Sequence, residues 1–276
     1  MADSALAPLR HRVFAVLWTA TVLGNIGTWM RDVGSGWLMT SLAPSPVMVA
    51  LVQAAGTLPV FVLALPAGAL ADLLDRRKLL IAAQCSLGVV SLALALCTAT
   101  GIMTPWLLLV LVLAGGVGAA LAAPAWQSSV PEMVPRADLR AAVALNSMGV
   151  NVSRAIGPAL GGLLVATLGV TATYLADALS YVPVIAALLW WKRVAPDADG
   201  PRETLPGAMR AGLRYALHAR GLQRVLLRAV VFFALGAAHW ALLPLLARHA
   251  LGGGPGLYGF MLAGIGAGAV GGALAL

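Results

Sequence analysis

The chain has 276 residues, of which 61% are hydrophobic and only 10% are charged, and its mean hydropathy is +0.91. A soluble domain of this length could not cover its surface with so few charges, because such domains are about 25% charged. The net charge of +8 does not indicate nucleic-acid binding, since the Arg and Lys residues form short clusters between apolar stretches instead of one basic face.

The apolar stretches are long enough to cross a membrane, which takes about 20 mostly apolar residues per helix. In chain order they are 13–40, 46–70, 79–99, 105–126, 142–166, 172–191, 223–247 and 256–276. The connections between them contain Pro, Gly or charged residues. This pattern predicts an all-α integral membrane protein.

Lys and Arg are divided unequally among the connections. Of the 18, 15 lie at the N-terminus or in the second, fourth and sixth connections with their flanks, whereas the connections of the other set hold only Arg248. Positive charge accumulates on the cytoplasmic side of membrane proteins. We therefore expect a multi-pass protein of the plasma or inner membrane with a cytoplasmic N-terminus. The preference for Arg (16) over Lys (2) is typical of a GC-rich bacterial genome.

The sixth connection, residues 192–222, is much longer than the others. Leu205, Met209, Leu213 and Leu217 recur every four residues in it, which predicts a basic amphipathic helix on the membrane surface. An ordinary charged linker is the alternative. The predicted organisation is a six-helix half (1–191), a central cytoplasmic loop (192–222) and the first two helices of a second half (223–276). If the second half also has six helices, the chain is incomplete at its C-terminus.

A charged motif separates the second and third stretches. In GALADLLDRRK, residues 68–78, the residues Gly68, Leu70, Ala71, Asp72, Arg76 and Arg77 resemble the loop signature of the major facilitator superfamily. Leu73 stands where that family has a basic residue, and Asp75 stands where it has Gly. The second variation resembles the subgroup of enterobactin exporters and macrolide efflux proteins.

This resemblance implies a major facilitator fold of twelve helices when complete, and it implies a cytoplasmic gate. Gly68 would let two helices approach closely, and Asp72 would contact a helix of the second half. Arg76 and Arg77 would pair with carboxylates or lipid phosphates. A loop that only sets the orientation in the membrane is the alternative. We call Gly68, Asp72, Arg76 and Arg77 the loop motif.

The fifth stretch contains a second resemblance to the superfamily. Gly157, Pro158, Gly161 and Gly162 match the end of its antiporter motif, Gly-Pro-x-x-Gly-Gly, although Ser153 replaces a Gly expected upstream. We call these four residues the Gly-Pro motif. The proline should kink the helix and the glycines should form a bare packing seam. In the superfamily this motif marks export by antiport; a seam with no directional meaning is the alternative.

Several polar residues interrupt the apolar stretches. A charge deep in a membrane normally faces a cavity or a partner. We expect adjacent Arg31 and Asp32 not to pair, and we expect Arg154 to pair with Asp32 or Asp177. Either acid is a candidate proton carrier, with a fixed ion pair as the alternative. Asn25 and Asn151 would line the cavity or bond between helices.

The resemblance implies a secondary active transporter that couples proton entry to efflux of a small amphipathic compound, such as a drug, macrolide or siderophore, by alternating access. The partners would be that compound, protons and membrane lipids, with no cofactor, metal or enzymatic site. The alternative is a truncated, non-transporting membrane protein or a membrane scaffold of the same fold.

Overall fold

The computed structural model describes residues 6–43, 45–193, 207, 214 and 218–275. A short 3₁₀ helix, Ala7–Arg10, precedes the main helices. These are α1 (Arg12–Leu42), α2 (Pro46–Val62), α3 (Ala64–Leu73), α4 (Arg76–Ala99), α5 (Pro105–Ser129), α6 (Leu139–Leu168), α7 (Val170–Trp190), α8 (Arg220–Leu245) and α9 (Pro255–Ala275). Each predicted stretch is helical, with ends within four residues of those predicted.

The second predicted stretch is bent, a feature that the prediction of one span over 46–70 did not include. It breaks at Leu63, and α2 and α3 are bent by 51° relative to each other. Pro66 explains the break, because proline has no N–H to donate to the carbonyl of Val62 and its ring collides with that group. Counted as one span, this pair brings the helices long and apolar enough to cross a membrane to six within the described residues, with α1 and α4 to α7 as the others.

The helices run alternately up and down. The start of α1, the α3–α4 and α5–α6 connections and the end of α7 lie at one end of the bundle, which we call the charged end. Residues 43, 45, 100–104, 169 and 251–254 lie at the other, which we call the opposite end. Helix ends carry local signals: Thr104 caps α5 through the amide of Leu107, and Gly169 ends α6 with a φ of +83°.

The core is divided between the two ends and the junction with α8 and α9. Phe14, Leu17 and Leu80 are buried at the charged end, and Met39, Leu94, Leu108 and Tyr174 are buried toward the opposite end. A third cluster joins α1 to α8 and α9. Large apolar side chains such as Phe61 and Leu179 face outward, 70% and 68% exposed, as expected for a surface in contact with lipid. The amphipathic helix predicted within 192–222 falls almost entirely outside the described residues.

Candidate functional site

The loop motif lies at the charged end, where Arg76 joins three segments. Its guanidinium donates to the carbonyls of Ala71 (3.2 Å) and Ser128 (2.8 Å) and to a carboxylate oxygen of Glu132 (2.8 Å). Asp72, whose side chain is 72% exposed, lies 3.6 Å from Arg76. Arg76 is therefore the residue of the motif that connects the α3–α4 turn to the end of α5.

Arg77 contacts a different helix. It donates to the main-chain carbonyls of Leu188 (2.6 Å) and Leu189 (2.7 Å), in the last turn of α7. A cation is favourable there because these carbonyls have no partner within the helix and form the negative end of its dipole. Within the described residues Arg77 binds a helix end and not a carboxylate.

The close approach expected at Gly68 does not occur. A Cβ atom placed on Gly68 would meet no atom of the described residues within 4 Å. The expectation was wrong for the described part of the chain.

Sequence reasoning missed the residues that complete this cluster. Glu132, on the α5–α6 connection, accepts hydrogen bonds from Arg193 at 2.6 and 2.8 Å as well as the one from Arg76. Arg193 also lies 3.4 Å from Asp75. No sequence spacing relates Glu132 to residues 56 and 61 positions away, so the pairing emerges only from the fold.

Asp75, which replaces the glycine of the superfamily signature, is the N-cap of α4. Its carboxylate accepts from the amide of Lys78 at 3.0 Å. Burial alone would raise the pKa of Asp75, but the Lys78 amide and the charge of Arg193 outweigh it, so the pKa lies below its ordinary value. The hydrogen bonds to Glu132 raise the pKa of Arg193. These shifts describe a set of ion pairs that is stable in its charged form.

The Gly-Pro motif forms a two-sided seam on α6, as predicted. On one side, Cβ atoms placed on Gly157 and Gly161 would lie 2.5 Å from the Cβ of Trp29 and 2.9 Å from the Cα of Met30, both on α1. On the other, one placed on Gly162 would lie 2.9 Å from the Cα of Gly259 on α9. Helix α6 continues through Pro158 as one element.

Gly264, Gly268 and Gly272 repeat every four residues on α9, but they do not form a contact face with the described residues. Cβ atoms at these positions would meet nothing within 4 Å among the described residues. The packing glycines of this helix are Gly259 and Gly266 instead. A Cβ atom on Gly266 would lie 2.7 Å from the carbonyl oxygen of Arg154.

Two acidic residues within the helices form a cluster with Arg31. Arg31 donates to Asp32 at 3.3 Å from Nε and 3.1 Å from Nη2, and its Nη1 lies 3.5 Å from Oδ2 of Asp177 on α7. Ser91 on α4 donates to the same Asp177 oxygen at 2.6 Å. The exposed fractions of the side chains are 11% for Arg31, 50% for Asp32 and 0% for Asp177. We call Arg31, Asp32 and Asp177 the ion cluster.

This cluster corrects two expectations. Adjacent Arg31 and Asp32 do pair, although their Cβ atoms lie on different faces of α1. The Arg31 side chain is long enough to reach around to the carboxylate of Asp32. Arg154 pairs with neither Asp32 nor Asp177, since Arg31 holds both. The guanidinium of Arg154 instead lies 5.5 Å above the ring of Trp29.

A sequence signal for the Arg31–Asp177 pair existed. Gly24, Gly27, Arg31 and Gly34 lie on one face of α1, and the glycines bring that face against α7. A Cβ atom on Gly27 would lie 3.0 Å from Oδ1 of Asp177. The same face therefore carries Arg31 to the buried carboxylate.

The predicted asparagines have smaller roles. Asn151 donates to the carbonyl of Ser147 in its own helix at 3.1 Å, so it does not bond between helices. Asn25 is half-buried on α1, and neither residue lines the cavity described next.

A cavity of about 160 Å³ lies beside the ion cluster. It is bounded by α1, α2 and α5 on one side and by α8 and α9 on the other. Its polar lining comes from Thr28, Arg31, Asp32, Ser35, Gln53 and Thr57, and its aromatic lining comes from Trp240 and Tyr258. Asp32 is therefore the carboxylate that the cavity reaches, whereas Asp177 lies behind Arg31.

Arg248 connects the segment after α8 to the end of α1 at the opposite end. This residue donates to the hydroxyls of Thr40 (2.7 Å) and Ser41 (2.6 Å) at the end of α1, and it lies 5.3 Å above the ring of Trp37. Trp37 in turn stacks on Tyr258 of α9, with ring centroids 6.5 Å apart. Sequence reasoning had treated Arg248 only as a loop charge.

These features define a class of protein: a membrane protein of the major facilitator fold, with ionisable groups within its helices beside a cavity. A bacterial homolog of the human lysosomal transporter Spinster, solved in an inward-facing and unoccupied conformation, has the same fold, with a TM-score of 0.70 at 16% identity over 94% of this chain and 60% of its own. More specifically, the family model of transmembrane secretion effectors matches residues 3–276, and the chain belongs to this family of the major facilitator superfamily.

Curated relatives are transporters as well. The chain is 24% identical to the staphyloferrin A transporter of Staphylococcus aureus over 89% of this chain and 62% of that protein. It is 29% identical to the multidrug efflux pump Tap of Mycobacterium tuberculosis over 78% of this chain and 53% of the pump. It is 33% identical to the enterobactin exporter EntS of Shigella boydii over 54% of this chain and 36% of the exporter. The chain thus spans about 60% or less of the length of these relatives.

Proposed function

We propose that the protein is a secondary active transporter that exports a small amphipathic compound, such as a drug, macrolide or siderophore, in exchange for protons by alternating access. The observation that carries this proposal is the ion cluster beside the cavity. A scaffold has no need for three ionisable groups within the membrane, where a charge is costly. Two carboxylates that share one guanidinium supply a group that can take up a proton when its partner moves away.

The remaining predicted roles are part of the same proposal. Residues 1–191 form the first half, 192–222 the central loop and 223–276 the first two helices of the second half. The charged end faces the cytoplasm of a bacterial cell. The loop motif acts there as a gate, in which Asp72 supplies an exposed carboxylate. The Gly-Pro seam limits leakage along α6 by packing without gaps against α1 and α9.

Everted membrane vesicles from a bacterial strain without its own multidrug exporters test this function. Respiration acidifies the vesicle interior, and a macrolide, a cationic dye and a catecholate siderophore are added in turn. We expect at least one compound to dissipate the pH gradient in vesicles with the native protein. Asp32→Asn should abolish this response and Asp32→Glu should retain part of it, because only a carboxyl group can carry the proton.

Asp138→Asn is the matched control. Asp138 pairs with His11 at the charged end, 2.7 Å away and outside the ion cluster, so its loss should leave the response intact. A normal response from Asp32→Asn would exclude proton coupling through Asp32. A correctly inserted native protein that responds to none of the compounds would instead favour the non-transporting alternative.

A further inference from the structure

Arg154 is a cation for which the described part of the chain supplies no counter-ion. It is the sixteenth residue of the 30-residue helix α6, so it lies about 21–23 Å from either helix end at 1.5 Å per residue. Within the described residues no carboxylate pairs with it, and its buried Nε has no hydrogen-bond partner. Lipid phosphates at the membrane surface are too far away to neutralise it.

The surroundings of Arg154 are aromatic. Its guanidinium lies 5.5 Å from the ring of Trp29, and Trp29 packs against Trp240 with centroids 6.5 Å apart and planes inclined by 38°. Trp240 lines the cavity that Asp32 also lines. Arg154 does not itself line the cavity: two aromatic rings, those of Trp29 and Trp240, lie between them, where α6 packs against α1 and α9.

We propose that Arg154 binds the anionic group of the exported compound, while Trp29 and Trp240 contact its aromatic or apolar part. The inference rests on the proposed transport function and names its substrate class: amphipathic anions such as aromatic carboxylates. The cavity-facing carboxylate of Asp32 already accepts two hydrogen bonds from Arg31, so the unpaired charge at mid-depth is positive. An arginine fork also suits a carboxylate, which it can bind through two parallel hydrogen bonds.

Three probes of equal shape and different charge test the assignment: 2-naphthoate, 2-naphthamide and 2-naphthylmethylammonium. Their binding to the purified native protein in lipid nanodiscs is measured by equilibrium dialysis. We expect 2-naphthoate to bind about 10- to 100-fold more tightly than the amide, as a charge-assisted hydrogen bond implies. Arg154→Gln should remove this difference, and Arg154→Lys should retain part of it.

Arg136→Gln is the matched control, because Arg136 is exposed in the α5–α6 connection. It should leave the preference for 2-naphthoate unchanged. The thermal unfolding of each variant, followed by Trp fluorescence, confirms that the compared proteins are folded. If Arg154→Gln does not fold, Arg154→Lys and the wild-type preference still decide the matter.

Equal binding of the three probes, tighter binding of the ammonium, or an unchanged preference in folded Arg154→Gln would each overturn the anion site. These results are separate from the vesicle assay with Asp32→Asn. A preference for the anion without any efflux would contradict the transport function and leave the binding site standing. Efflux that depends on Asp32 without a preference for the anion would support the transport function and overturn the anion site.

Discussion

Gly259→Ala should destabilise the packing of α9 on α6. The added Cβ would collide with the carbonyl oxygen of Pro158 and would lie 2.7 Å from the Cα and 2.9 Å from the N of Gly162. Carbon atoms in contact are normally about 3.5–4.0 Å apart. The neighbours are main-chain atoms, so relief requires the two helices to separate by roughly 1 Å, and overpacking of this kind costs about 1–3 kcal/mol.

Gly264→Ala, on the same helix, is the matched control. No atom of the described residues lies within 4 Å of its added Cβ. The substitution should be neutral or should stabilise the helix by up to about 1 kcal/mol, because Ala favours helices more than Gly does. The two variants thus differ in packing and share the same chemical change.

Thermal unfolding of the purified protein in detergent, followed by Trp fluorescence, measures the difference. At about 2–4 °C per kcal/mol for a protein of this size, Gly259→Ala should lower the midpoint by roughly 2–12 °C. Gly264→Ala should leave it unchanged or raise it. Equal midpoints for the two variants, or a lower one for Gly264→Ala, would refute the reasoning.

Two further predictions concern the ends of the bundle. The folded-state pKa of Asp75 lies below its ordinary value, so the stabilising effect of its carboxylate is present above about pH 4 and is lost as the pH falls through the folded pKa. In urea titrations, the stability advantage of the wild type over Asp75→Asn should therefore shrink between pH 6 and pH 3. A constant advantage would contradict the lowered pKa of Asp75. Arg248→Gln removes the charged donor to Thr40 and Ser41. Hydrogen–deuterium exchange should therefore rise in segment 246–254 and stay unchanged in α4. Unchanged exchange in segment 246–254 would show that these bonds do not hold this segment to the end of α1.

The positions of the helices were predictable because lipid imposes a strong rule. A spanning segment must be apolar and about 20 residues long, and the sequence satisfies this rule repeatedly. The bend at Leu63 was also encoded, in Pro66, but the apolar run conceals it because hydropathy does not register a missing N–H. Here composition located the segment and local backbone chemistry decided its shape.

The partners of the charges were harder to predict. The pairing of Arg31 with Asp177 depends on how closely α1 approaches α7, and the glycine face that sets this distance is a three-dimensional property of α1. Glu132 was missed for a related reason, since its contacts with Arg76 and Arg193 join segments distant in sequence. The sequence identifies the charged residues, whereas the packing of the helices determines which of them pair.

The geometry of the ion cluster separates the two carboxylates by their access to water. A proton carrier must exchange its proton with water, and Asp32 faces the cavity with half of its side chain exposed while Asp177 is fully buried. Asp177 is also held by Ser91 at 2.6 Å, so it has a partner that remains when Arg31 moves. If the hydrogen bonds between Arg31 and Asp32 broke, the guanidinium would be left to Asp177 alone. Of the two acids, Asp32 is therefore the better placed for the proposed exchange through the cavity, and Asp177 is the fixed anchor of Arg31.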